Sequence, residues 1–90
     1  MYEKLDEKVE VLVHFTTHKP IPLALIWNGK RFKIDTVNFA HISHEGKSPI
    51  IHFSVSTIKE AFNISFNTHE LTWTLHEIFF EGFTKDTSLN

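Results

Sequence analysis

Leu23-Ala24-Leu25-Ile26-Trp27-Asn28-Gly29-Lys30-Arg31-Phe32-Lys33-Ile34 decides the fold class. Asn28-Gly29 supplies the two positive φ angles of a two-residue type I′ turn at least steric cost, so the flanking residues read as the arms of a β-hairpin. The turn sets a register in which Trp27 faces Lys30, Leu25 faces Phe32 and Leu23 faces Ile34. These residues take one side, while Ala24, Ile26, Arg31, Lys33 and Asp35 take the other.

The same period of two continues outward. Val9, Val11, Val13 and Phe15 alternate with Glu10, Leu12, His14 and Thr16 to give a first strand, ended by Thr17-His18-Lys19-Pro20. Residues 36–44 carry a weaker pattern, in which Val37 and Phe39 or Ala40 and Ile42 form the buried set and a bulge or bend intervenes. After the turn His44-Glu45-Gly46-Lys47-Ser48-Pro49, three strands form a meander with Ile51, Phe53, Val55, then Phe62, Ile64, Phe66, then Leu71, Trp73, Leu75 on one face. Ile78-Phe79-Phe80 breaks the alternation, which requires a bulge near His76-Glu77 or a strand end covered on both faces. No stretch of ten residues follows a helical period. The expectation is an all-β domain, a small antiparallel meander of six or seven strands curled into a barrel or roll that hides its edges. It is expected over residues 9–83, after a charged segment at 1–8 and before a flexible polar tail at 84–90.

Ninety residues with 41% apolar and 22% charged side chains suit one ordered domain. A chain this size buries only about 60 to 65% of its unfolded surface, so association with a partner or a second copy adds stability. There is no Cys, hence no disulfide and no thiolate chemistry. The absence of an apolar run of about 18 residues, and the charged start Met1-Tyr2-Glu3-Lys4-Leu5-Asp6-Glu7-Lys8, point to a cytoplasmic protein without a membrane partner. A net charge of −2 argues against a strongly basic nucleic-acid or membrane binder, although protonating all seven His would raise it to +5 (−2 + 7).

The meander leaves His52, Ser54, Ser56, Asn63, Ser65, Asn67, Thr72, Thr74 and His76 on the face opposite the core. None is Lys, Arg, Asp or Glu. Solvated strand faces ordinarily carry such charges, so hydroxyls, amides and imidazoles here point to contact with a protein partner, a sugar or a base edge. The hairpin tip is the second candidate site: Trp27 with Lys30, Arg31 and Lys33 combines a stacking ring with cations, as single-strand nucleic-acid platforms do.

Catalytic and cofactor motifs are not found. The dipeptides His44-Glu45, His69-Glu70 and His76-Glu77 place acid and base on opposite faces of a strand. His14 and His18 lie about 13 Å apart on an extended strand, too far for one metal, and only a turn at His41-Ile42-Ser43-His44 would bring ligands together. No P-loop, dinucleotide fingerprint, H-E-x-x-H or G-x-S-x-G occurs. The chain reads as a non-enzyme without cofactor or metal.

Pro20-Ile21-Pro22-Leu23-Ala24-Leu25-Ile26-Trp27-Asn28-Gly29-Lys30-Arg31-Phe32-Lys33-Ile34 resembles the P-x-x-F/L-x-W-x-G-x-x-Y/F-x-V/I opening of a family of short uncharacterised bacterial β-proteins. Phe53-Ser54-Val55, Phe62-Asn63-Ile64 and the W-x-L of Trp73-Thr74-Leu75 extend the likeness over residues 9–80. The resemblance implies a shared architecture. Some members are encoded near translesion polymerases, which implies a DNA-associated accessory role, although those members are Arg-rich and this chain has only Arg31. The functional expectation is a small interaction module that binds a protein partner or a second copy through a β face or edge. The alternative is a weak single-stranded nucleic-acid binder.

Overall fold

A computed structural model describes residues 2–80, apart from the side chain of Glu45; the expected tail at 84–90 lies outside the described residues. Seven strands follow in chain order: β1 (Tyr2–Phe15), β2 (Pro20–Trp27), β3 (Lys30–Lys33), β4 (Thr36–Glu45), β5 (Ser48–Ser56), β6 (Glu60–Asn67) and β7 (Thr72–Phe80). All pairings are antiparallel, in one sheet of order β3-β2-β1-β7-β6-β5-β4. The sheet curls into a half-barrel, as the periodicity requires. No helix is present among the described residues, and so none is long and apolar enough to cross a membrane.

The hairpin forms in the expected register. Asn28 and Gly29 take φ of 54° and 73°, and Trp27 pairs Lys30, Ile26 pairs Arg31 and Leu25 pairs Phe32. Curling is visible in one contact: the Phe32 ring on edge strand β3 lies 5.2 Å from Phe62 on β6, although three strands separate them in the sheet. Phe62, Leu25, Ile64, Leu75, Ile78 and Val55 form the fully buried centre. The meander of β5, β6 and β7 pairs Phe53 with Ile64, Val55 with Phe62, Ile64 with Leu75 and Phe66 with Trp73, so these apolar residues read from alternation share the core face, Leu71 excepted.

Four expectations need correction. The charged residues after Met1 belong to the sheet, because Tyr2, Glu3 and Lys4 pair with Phe79, Ile78 and Glu77 on β7. Leu23 does not face the core: the β1–β2 register slips between Leu12 and Val13, so Leu23 is exposed while Pro22 is buried. Leu71 stands in the β6–β7 turn with φ of 61° and is exposed. On β4 neither expected buried set is buried. The strand is bulged at Asn38 and lies at the sheet edge, leaving Val37, Phe39 and Ile42 exposed.

Gly29→Ala tests the turn. A Cβ there meets nothing within 4 Å, so its cost is conformational alone. Urea denaturation is expected to show a loss of about 1 kcal/mol, the cost of a left-handed non-glycine residue. Phe62→Ala, at the centre, is expected to cost about 3 to 5 kcal/mol in the same measurement.

Candidate functional site

The face turned away from the core is organised by a bulge at His76. On β6, Asn63 pairs with Glu77 and Ile64 with Leu75, so β7 carries one extra residue there. On the other side, Lys4 pairs with Glu77 and Glu7 with Leu75, so Leu5 and Asp6 together oppose His76. A bulge lets two successive side chains share a face. His76 and Glu77 both project onto the polar face, where they meet Ser65 and Asn63, which are two residues apart on β6. The expectation that adjacent His and Glu must diverge fails at this dipeptide because the strand is not regular.

Two rows of register partners cross the sheet. Phe39, Ser54, Asn63, Glu77 and Lys4 form the first; His41, His52, Ser65, Thr74 and Lys8 form the second. In the first row Asn63 Nδ2 donates to Glu77 Oε1 at 2.5 Å, and the Tyr2 hydroxyl donates to Oε2 at 2.9 Å. Chiefly through these two bonds, the Glu77 carboxyl is held below the usual glutamate range. In the second row the His41 ring stacks on His52 at 4.6 Å and 9°, and the His52 and His76 rings are 6.3 Å apart. Ser43 Oγ lies 2.8 Å from His52 Nε2.

His76 joins three strands. Its Nδ1 is 2.7 Å from Asp6 Oδ1 and its Nε2 is 2.8 Å from Ser65 Oγ. An ionised carboxylate only accepts, so Nδ1–H donates to Asp6; in the neutral imidazole Nε2 then accepts from the Ser65 hydroxyl. Asp6 reaches this position with φ of 57°, a conformation that Asp tolerates better than most residues. Its carboxyl is held below the usual aspartate range, chiefly by the His76 hydrogen bond. The order Ser–His–Asp matches the relay that activates serine nucleophiles. Here, however, Ser65 is only 6% exposed and sits on a central strand whose backbone donors serve β5 and β7. The bonds clamp β1, β7 and β6 together.

Of the expected site residues, His52, Ser54, Asn63, Ser65, Thr74 and His76 do share this face. Ser65 is buried rather than presented. Thr72 Oγ1 is buried with no hydrogen-bond partner among the described residues. Asn67 Oδ1 accepts from the backbone N–H groups of His69 and Glu70 and shapes a turn. The face is not free of acid groups, because Asp6 and Glu77 enter it; together with Tyr2, Phe39, His41 and Ser43 they complete a site that strand alternation did not assemble. A cleft of about 460 Å³ lies between Phe39, His41, His52, Ser54, Asn63 and Glu77.

The hairpin tip is divided. Trp27 Nε1 donates to Glu7 Oε1 at 3.1 Å, and Trp27 lines a cleft with Glu7 and Glu10. Lys30, Arg31 and Lys33 line a different one with Lys59, Asp35 and Glu60. Lys30 Nζ lies 5.3 Å from the Phe32 ring centroid, over the ring. Lys30, the register partner of Trp27, therefore stays beside the ring, while Arg31 and Lys33 line the other cleft. Strand β4 stays extended through His41-Ile42-Ser43-His44, which turns the two His to opposite faces, and among the described residues no group of three or more acidic or His side chains is placed to hold a metal.

Depressed carboxyl values at Asp6 and Glu77 stabilise the fold fully above the unfolded values of about 3.9 and 4.3, and that contribution disappears as pH falls through the folded values beneath them. Urea midpoints measured from pH 7 to pH 2 are expected to fall more steeply for the wild type than for Asp6→Asn/Glu77→Gln. Parallel curves would contradict the two assigned bonds.

No protein-family model matches the chain, and neither a curated protein nor a solved structure is detectably similar to it. The likeness noted for Pro20 to Ile34 rests on the quoted residues alone.

Proposed function

We propose that the protein is a non-enzymatic association module that adds a strand at its β4 edge, the strand coming from a second copy of the chain. The observation that carries this reading is the contrast between the two sheet edges. β3 is protected by Lys30, Arg31 and Lys33 in a strand of four residues. β4 spans ten, and residues 36–44 contain no Lys, Arg, Asp or Glu. Edge strands that stay unpaired are ordinarily short, charged, bulged or interrupted by Pro; β4 has its bulge at Asn38 and its one acidic residue at Glu45, and residues 39–44 between them carry none of these devices. It also exposes Phe39 at 60% and Ile42 at 61% on opposite faces. Antiparallel pairing of β4 with its own copy about a two-fold axis satisfies the free backbone groups and brings like apolar side chains together without requiring a charged complement.

The Ser65 relay supports a structural rather than a catalytic role, because its hydroxyl is covered and its strand supplies no free donor pair for an oxyanion. The hairpin cations stay a weaker basis for nucleic-acid binding, since Asp35 and Glu60 interleave them.

Size-exclusion chromatography with light scattering is expected to give a dimer mass at high micromolar concentration, and Ile42→Lys is expected to return it to a monomer. A wild-type monomer at that concentration would remove the self-association reading. Exposure to a fluorophosphonate is expected to leave Ser65 unmodified; a covalent adduct there would overturn the non-enzymatic assignment.

A further inference from the structure

We infer that the cleft between Phe39, His41, His52, Ser54, Asn63 and Glu77 is a binding site for a planar, forked cation, an amidinium or guanidinium group on a small apolar body. This goes beyond the edge-pairing reading and does not depend on it, since a strand added at β4 leaves the polar-face side chains of β4 on the same side of the sheet.

The inference starts from the acceptors. Glu77 receives one protein donor on each oxygen, Asn63 Nδ2 on Oε1 and the Tyr2 hydroxyl on Oε2. Each carboxylate oxygen accepts about two hydrogen bonds, so among the described residues each oxygen of Glu77 keeps one acceptor position for a ligand. A guanidinium or amidinium carries N–H donors enough to serve both oxygens, whereas a single ammonium acts on them as a point charge. The carboxylate is fixed by its two partners before any ligand arrives, so little ordering entropy is spent on binding.

The wall supplies the other half of the recognition. The Phe39 ring is 5.5 Å from the His41 ring, which is stacked on His52 at 4.6 Å. Phe39 stands at the far end of the row that contains Glu77, and His41 and His52 stand in the row beside it; all three line the cleft, so a flat cation there lies against an aromatic surface, an attractive arrangement. None of the residues lining the cleft is Lys or Arg, so no built-in cation occupies it. Lys4, whose charge acts on Glu77, is its register partner at the end of the row and stands outside the cleft lining. A volume of about 460 Å³ fits a small molecule or one long side chain.

The ligand group has two sources, a free small molecule or an arginine side chain of a peptide, and two probes separate them. Benzamidine hydrochloride reports the free cation, and a blocked Ala-Arg-Ala peptide reports the peptide-borne one. Titration followed by NMR is expected to move the ring-proton signals of His41 and His52 with one or both probes, the tighter of the two identifying the source. Benzamide, flat but neutral, is expected not to bind. Glu77→Gln is expected to weaken binding at least about tenfold by removing the charge-assisted pair. Phe39→Ala, at an exposed position outside the core, is expected to weaken it while leaving the amide spectrum folded. Lys4→Gln is expected to tighten it. Failure of both probes to bind, binding of benzamide as strong as that of benzamidine, or Glu77→Gln binding unchanged in a folded protein would each overturn the assignment. Phe39 belongs to both readings, so the separation rests on the benzamidine–benzamide comparison and Glu77→Gln, which alter no residue of β4; through them the site and the β4 edge fail or survive separately.

Discussion

The polar half of this protein depends on a single inserted residue. His76 has no counterpart on β6 and faces two residues on β1. Without that irregularity, strand alternation would carry Glu77 into the core and Ile78 out of it. With it, Ile78 is buried, Glu77 reaches Asn63 and Tyr2, and Asp6 reaches His76. A buried serine hydroxyl and three strands are satisfied by the same imidazole. Buried polar groups cost stability unless paired, so the bulge and its hydrogen bonds stand or fall together.

The core imposes a second constraint on the outline of the sheet. Phe32 on edge strand β3 reaches Phe62 on β6, and this contact curls the sheet so that one edge meets the core while β4, two strands past β6, forms the other edge. The edge that meets the core is short and cationic. The edge that does not is long, without charge over residues 36–44, and exposes apolar side chains on both faces. A uniform need for solubility would not produce that difference, whereas a strand that spends its life paired would tolerate it.

The parts of this structure that were legible in the sequence are those ruled by short-range chemistry. Asn28-Gly29 permits one turn geometry at low cost, and the three-strand meander repeats apolar residues at every second position, so hairpin, register and core face all follow. The break at Ile78 also announced the bulge. What could not be read was its consequence: a bulge at His76-Glu77 and opposite placement of those residues are incompatible, and only the register with β1 shows that Asp6 is the acid that joins them. Asp6 and His76 are 70 residues apart, beyond the reach of any local pattern. Leu23 and Leu71 misled for a related reason, since apolar character does not report a slipped register or a positive φ. Residues 36–44 gave a weak pattern because an edge strand with both faces open has no buried face to encode.

The pairing of β1 with β7 joins the two ends of the described chain side by side, with Tyr2 opposite Phe79. Read from β4, the neighbours run β4-β5-β6-β7-β1-β2-β3, an uninterrupted up-and-down ribbon. The strand order is therefore that of the simplest meander circularly permuted: the Ile34-Asp35 link joins the two sheet edges, and β7 and β1 are neighbours without a direct turn between them. The spatial neighbourhood of every strand is indifferent to which of these two joints is covalent. Only the order in which the chain encounters its partners changes, and with it the distance in sequence over which the His76 clamp must be closed.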